Sequence, residues 1–118
     1  MMKRAATRRV SKFRRILVPV DFSDQSLDAL RQTRMIAGND ASRICVLHVA
    51  ESLHIDWRAD TTDIQKEAHN VVRNVLAKFV KAEFGESGPK TQFLPGKPVD
   101  VIVKFAGKMN ADLIVLGT

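Results

Sequence analysis

Two short stretches, far apart in the chain, carry residue types able to recognise a polar ligand. In Arg15-Ile-Leu-Val-Pro-Val-Asp-Phe-Ser23 an apolar run ends in a carboxylate, Asp21, and then a serine suited to capping a helix. A carboxylate at the carboxyl end of a strand accepts hydrogen bonds from a ligand's amine or hydroxyl. It can equally satisfy backbone N–H groups at the start of the following helix, and the sequence leaves both roles open. In Ala111-Asp-Leu-Ile-Val-Leu-Gly-Thr118 a second apolar run turns at Gly117 and Thr118. A glycine after such a strand lets backbone N–H groups approach a phosphate with no Cβ in the way. His54, Trp57 and His69 do not form a spaced metal set and read as loop and helix-surface residues. Cys45 has no partner cysteine and is expected to be a small core residue of a strand.

Positioning these residues requires strands alternating with helices. Residues 16–20 are continuously apolar, as in a central parallel strand covered on both faces. Ser23 caps a helix whose Leu27, Leu30, Thr33 and Ala37 keep helical spacing until Gly38-Asn39-Asp40 stops it. Residues 44–49 form a second buried strand, and residues 51–61 a polar excursion. A long helix is expected over 62–84, with Ile64, Ala68, Val71, Val72, Val75, Leu76, Phe79 and Val80 on the stripe that meets the sheet. Thr91–Leu94 suits an edge strand. Pro98 opens a third helix with Val99, Ile102, Val103, Ala106 and Met109 as its apolar face, and Asn110 is its left-handed stop. This order implies right-handed crossovers, a parallel sheet and an α/β fold.

Composition excludes several classes. The 118 residues hold one Cys and no long apolar run or signal-peptide pattern, which points to a soluble, cytoplasmic protein with no membrane partner. Nineteen Lys and Arg stand against thirteen Asp and Glu, but seven of the nineteen lie within residues 1–15, where there is no acid, leaving twelve against thirteen. The basic balance therefore belongs to an amino-terminal arm, residues 1–14, expected to be disordered and solvated. With Phe13 its one ring, it is not expected to bind nucleic acid. No Gly-x-x-x-x-Gly-Lys-[Ser/Thr], His-x-Gly-His or Ser-Gly-Gly-x-Asp run occurs. The strand ending Leu94-Pro95-Gly96 also lacks the phosphorylatable Asp of a receiver domain, so no enzyme is expected.

Arg15–Ser23, Leu47-His48-Val49, Gly96-Lys97-Pro98 and Ala111–Thr118 together resemble the universal stress protein family over residues 15–118. The resemblance implies a doubly wound, Rossmann-like parallel sheet of order 3-2-1-4-5, present here as 3-2-1-4 with the usual fifth strand missing. It implies an ATP site in which Val20, Asp21 and Val49 hold the adenine end with Leu116, while Gly117 and Thr118 begin the phosphate end. An apolar strand end such as Val20, Val49 or Leu116 is more often simply core. His48 is expected to be structural. In nucleotide-binding members a Gly, two residues, Gly, nine residues, Gly-[Ser/Thr] pattern cradles the phosphates, and Gly117 matches only its first position. The resemblance therefore implies a domain, 15–118, incomplete at its carboxyl end and a homodimer when full length, with the isolated chain binding ATP weakly or not at all. The alternative is a dimerisation module of the same fold that binds no nucleotide.

Overall fold

In the computed structural model, residues 13–51 and 62–117 are described. The elements are β1 (Ile16–Pro19), α1 (Asp24–Ile36), a 3-10 turn (Ala41–Arg43), β2 (Ile44–Ala50), α2 (Thr62–Phe84), β3 (Lys90–Pro95), α3 (Pro98–Met109) and β4 (Leu113–Ile114). All four strands are parallel, in the order β3-β2-β1-β4. The expectations for the basic arm fall mostly on residues 1–12, outside the described residues, as do His54 and Trp57. The described residues begin at Phe13, which packs against the core, and Arg14, whose N–H donates to Asp112 Oδ2.

Alternation along the strands divides the side chains between two faces. Ile16, Val18, Val20, Ile44 and Val46 meet Ala29, Leu30 and Ala37 of the α1 segment and Leu76 and Val80 of α2. Leu17 and Leu47, both fully buried, belong to the other parity and so face the α3 side. Glu83 of α2 ties the two helices of the first face together, pairing with Arg31 at 3.2 Å and Arg34 at 3.3 Å.

Capping chemistry sets the helix ends. Ser23 caps α1, its Oγ accepting from Ser26 N at 3.1 Å. Pro98 occupies the first turn of α3, and Asn110 closes that helix in the left-handed region at φ 55°.

The expected helix faces are corrected. On α2, among the stripe residues whose side chains are described, only Leu76 and Val80 are buried, while Val71 and Val75 are exposed. On α3, Val99 is 72% and Val103 65% exposed, because Val101, Ile102, Phe105 and Ala106 form the half-buried side of the helix and, among the described residues, nothing covers the opposite side. With the order β3-β2-β1-β4 the apolar run Asp112–Leu116 lies at the sheet edge among the described residues, and it pairs only through Leu113 and Ile114. Leu116 is 57% exposed, since β4 has β1 as its one strand neighbour among the described residues.

Pro19 explains where that pairing stops. Leu17 O accepts from Val115 N, so alternate β1 residues direct their backbone groups to β4, and Pro19, the next of them, has no N–H to give. The β1–β2 ladder continues to Pro19 and Leu47, whereas the β1–β4 ladder ends at Leu17 and Ile114. Beyond that point β1 and β4 part.

Candidate functional site

A pocket of about 350 Å³ opens where β1 and β4 separate. Val20, Asp21, Val49, Leu116 and Gly117 all line it, drawn from sequence positions as much as 97 apart. This is the point at which the strand order reverses, beyond the carboxyl ends of the strands, where open α/β sheets bind ligands. Thr118 lies outside the described residues.

Asp21 has one oxygen committed to the fold. Its Oδ1 accepts from Ser23 N at 3.0 Å and from the hydroxyls of Ser23 and Ser26. Ser26 Oγ in turn accepts from Asp21 N at 2.9 Å, closing a loop of hydrogen bonds around the first turn of α1. The Ser23 hydroxyl foremost, then the Ser26 hydroxyl and the Ser23 N–H, stabilise the charged form and hold the carboxyl down to about 2 from 3.8. The helix-start role left open by the sequence is therefore filled by Oδ1. Among the described hydrogen bonds Oδ2 has none.

The backbone beneath Asp21 is fastened by an imidazole and a ring. His48 Nδ1 lies 2.8 Å from Val20 O. A carbonyl only accepts, so Nδ1 carries the hydrogen. Phe22 adopts φ 67°, a conformation unusual for a bulky residue. It is held there between His48, with centroids 4.5 Å apart, and the edge of Phe79 at 5.5 Å. His48 also stacks on Phe93 at 5.9 Å, and Phe93 meets His69 at 5.2 Å, so His69 packs against a ring instead of standing free on the helix surface. Among the described residues no cluster of His, Cys, Asp or Glu could hold a metal ion.

Gly117 is also required by the packing of the chain itself. A Cβ there would lie 2.8 Å from Ser26 N and nearer still to the Gln25 carbonyl. The absent side chain lets the end of β4 rest directly on the first turn of α1. The same close approach makes one wall of the pocket.

Sequence reasoning missed Ser26, Glu51, Pro98 and Ile102, which complete the lining together with Pro19. Ser26 had a signal in the spacing Asp21-x-Ser23-x-x-Ser26, where three oxygens can share one helical turn. Glu51, immediately after β2, mirrors Asp21 after β1 in a parallel pair. Nothing in the sequence alone brings α3 across to the pocket. Cys45, expected in the core, is half-buried, and burial raises its thiol pKa.

An open parallel sheet with helices on both faces and a pocket at the reversal of strand order defines a doubly wound, Rossmann-like α/β protein. The universal stress protein family matches residues 12–118, and the chain belongs to that family. It is similar to universal stress protein MJ0531 of Methanocaldococcus jannaschii, 29% identical over 113 residues, covering 90% of this chain and 65% of the relative. The chain thus spans just under two thirds of that relative's length. Hypothetical protein MJ0577 superposes with a TM-score of 0.70 at 25% identity, over 86% of this chain and 72% of that one. A universal stress protein solved in complex with cAMP has the same fold, with a TM-score of 0.60 at 22% identity, over 87% and 75% of the two chains.

Proposed function

We propose that this protein is a non-enzymatic, cytoplasmic adenine-nucleotide-binding stress protein, and that the pocket between β1 and β4 takes the base and ribose. The observation that carries the reading is the convergence of Val20, Asp21, Val49, Leu116 and Gly117 on one pocket at the reversal of strand order. Val49 and Leu116 offer apolar contact to a planar base. Asp21 Oδ2 and Glu51 are acceptors for an exocyclic amine or ribose hydroxyls. That a universal stress protein of this fold is in complex with cAMP makes an adenine nucleotide the first ligand to try.

The residues present suit the nucleoside better than the phosphates. The described lining holds two carboxylates and no Lys, Arg or His. A charge-assisted hydrogen bond is worth about 1.5–3 kcal/mol, so a triphosphate without such donors loses micromolar binding. Calorimetry with adenosine, cAMP and ATP tests this. We expect adenosine or cAMP to bind more tightly than ATP and Asp21→Asn to weaken both; equal, tight ATP binding by the two proteins overturns the site.

The second reading is an interaction module that acts by self-association. The exposed Val99 and Val103 of α3 favour it, together with Leu116 beyond β4. Light scattering after size exclusion separates the readings. Nucleotide-independent dimers disrupted by Val103→Lys support the second.

A further inference from the structure

At the amino ends of the strands, away from the pocket just described, a parallel sheet brings the starts of β1, β2 and β3 together. Arg14 and Arg15 precede β1, Arg43 precedes β2 and Lys90 opens β3, and these four cations line a recess of about 250 Å³. The recess continues into an open groove of about 870 Å³ between β3 and α3, walled by Lys104 and Lys108. Gln92, Phe105 and Met109 line both, so recess and groove are one continuous surface. Its lining holds six cations and no carboxylate.

The neighbouring acids leave most of this charge uncompensated. Asp40 pairs with Arg43 at 3.1 Å. Asp112 Oδ2 accepts the backbone N–H groups of Arg14 and Arg15, each at 3.0 Å, and does not pair with their guanidinium groups. Among the described residues Arg14, Arg15, Lys90, Lys104 and Lys108 form no ion pair. The body of the chain is close to neutral, so a concentration of this kind is local. The sequence adds Lys3, Arg4, Arg8, Arg9 and Lys12 just ahead of Arg14.

We propose that this groove binds single-stranded nucleic acid. Cations distributed along a groove match a chain of phosphates, and an apolar floor containing the half-buried Phe105 ring offers a surface on which a base can stack. A small anion would need only one cluster of these charges, whereas the continuous surface suits a polymer. The proposal is independent of the adenine-nucleotide pocket.

Fluorescence anisotropy on the full chain, with labelled oligo(dT) of about 12 nucleotides, tests it. Binding should weaken linearly on a logarithmic salt scale. Replacing Lys90, Lys104 and Lys108 by Gln should lower affinity at least tenfold and flatten the salt slope by about 2. Phe105→Leu should weaken oligo(dT) on the order of tenfold and leave inorganic polyphosphate unaffected. If Phe105→Leu does not fold by circular dichroism, the surface variant Lys104→Glu/Lys108→Glu must still abolish binding. Absence of binding at low salt overturns the proposal. So does loss on changing Lys3, Arg4, Arg8, Arg9 and Lys12 to Gln with no effect of the groove variants, because binding would then reside in the arm. Equal Phe105 independence for oligo(dT) and polyphosphate would reduce the groove to a general polyanion surface and overturn it as well.

Discussion

At the carboxyl ends of the strands the pocket is walled by Asp21 and Glu51 with no Lys or Arg in its described lining, whereas the recess at the amino ends is walled by Arg14, Arg15, Arg43 and Lys90 with no Asp or Glu. The two regions belong to the same strands. β1 is preceded by Arg15 and followed, past Val20, by Asp21; β2 is preceded by Arg43 and followed by Glu51. In an antiparallel sheet that habit would mix the signs at both ends, but in a parallel sheet it separates them. Asp112, the acid just before β4, is the exception, and it is occupied with the backbone N–H groups of Arg14 and Arg15. The ends also differ in how they are built. Hydrogen bonds and rings fix the carboxyl end into the core, while the cations of the amino end are carried mainly on exposed side chains.

That difference predicts unequal responses to substitution. His48→Ala removes the hydrogen bond to Val20 O and the packing on Phe22 and Phe93. It should cost about 2–3 kcal/mol in denaturant unfolding; a loss below about 0.5 kcal/mol would mean that the imidazole fastens nothing. Gly117→Ala drives a Cβ into the Gln25–Ser26 peptide and should cost about 1–3 kcal/mol, with amide shifts by NMR concentrated in the first turn of α1. Ser26→Ala removes a buried hydroxyl bonded to both the N–H and the carboxylate of Asp21. Its expected cost is about 1 kcal/mol, and an NMR titration should find the Asp21 pKa raised toward its ordinary value.

Acid gives a smaller effect with a defined sign. Because the folded pKa of Asp21 is depressed to about 2 from 3.8, its contribution is present above about pH 4 and lost as pH falls through 2. Solvent exposure of the carboxylate keeps that contribution below about 1 kcal/mol. The difference in unfolding free energy between wild type and Asp21→Asn should shrink over that window, and a constant difference would contradict it. Smallest of all, Lys104→Gln/Lys108→Gln at the other end should change thermal stability by no more than about 0.5 kcal/mol. A larger loss would show that the cations are part of the fold and remove the contrast between the ends.

The sequence exposes most of the elements because their boundary residues have local jobs. Ser23 caps, Pro98 starts and Asn110 stops a helix by backbone chemistry that needs no knowledge of the rest of the chain. Periodicity is less informative about burial. It groups Val71 and Val75 with Leu76 and Val80, or Val99 and Val103 with Ile102, yet only tertiary packing decides which of them is covered. The site divides in the same way. Val20, Asp21, Val49, Leu116 and Gly117 can be named only through the resemblance to the family, whose strand order brings these strand ends together. The contributions of α3 depend on how a helix lies across the sheet and leave no trace in spacing, whereas the use of one Asp21 oxygen by α1 is foreshadowed by Asp21-x-Ser23-x-x-Ser26.

Pro19 gives the pocket a property that side-chain packing cannot supply. Two parallel strands meeting at Leu17 and Ile114 would ordinarily zip onward as each N–H found its carbonyl, sealing the gap between them. A nitrogen with no hydrogen ends that zippering at a fixed register. The depth of the cleft is thus written in covalent structure, and it persists whether or not anything is there to fill it.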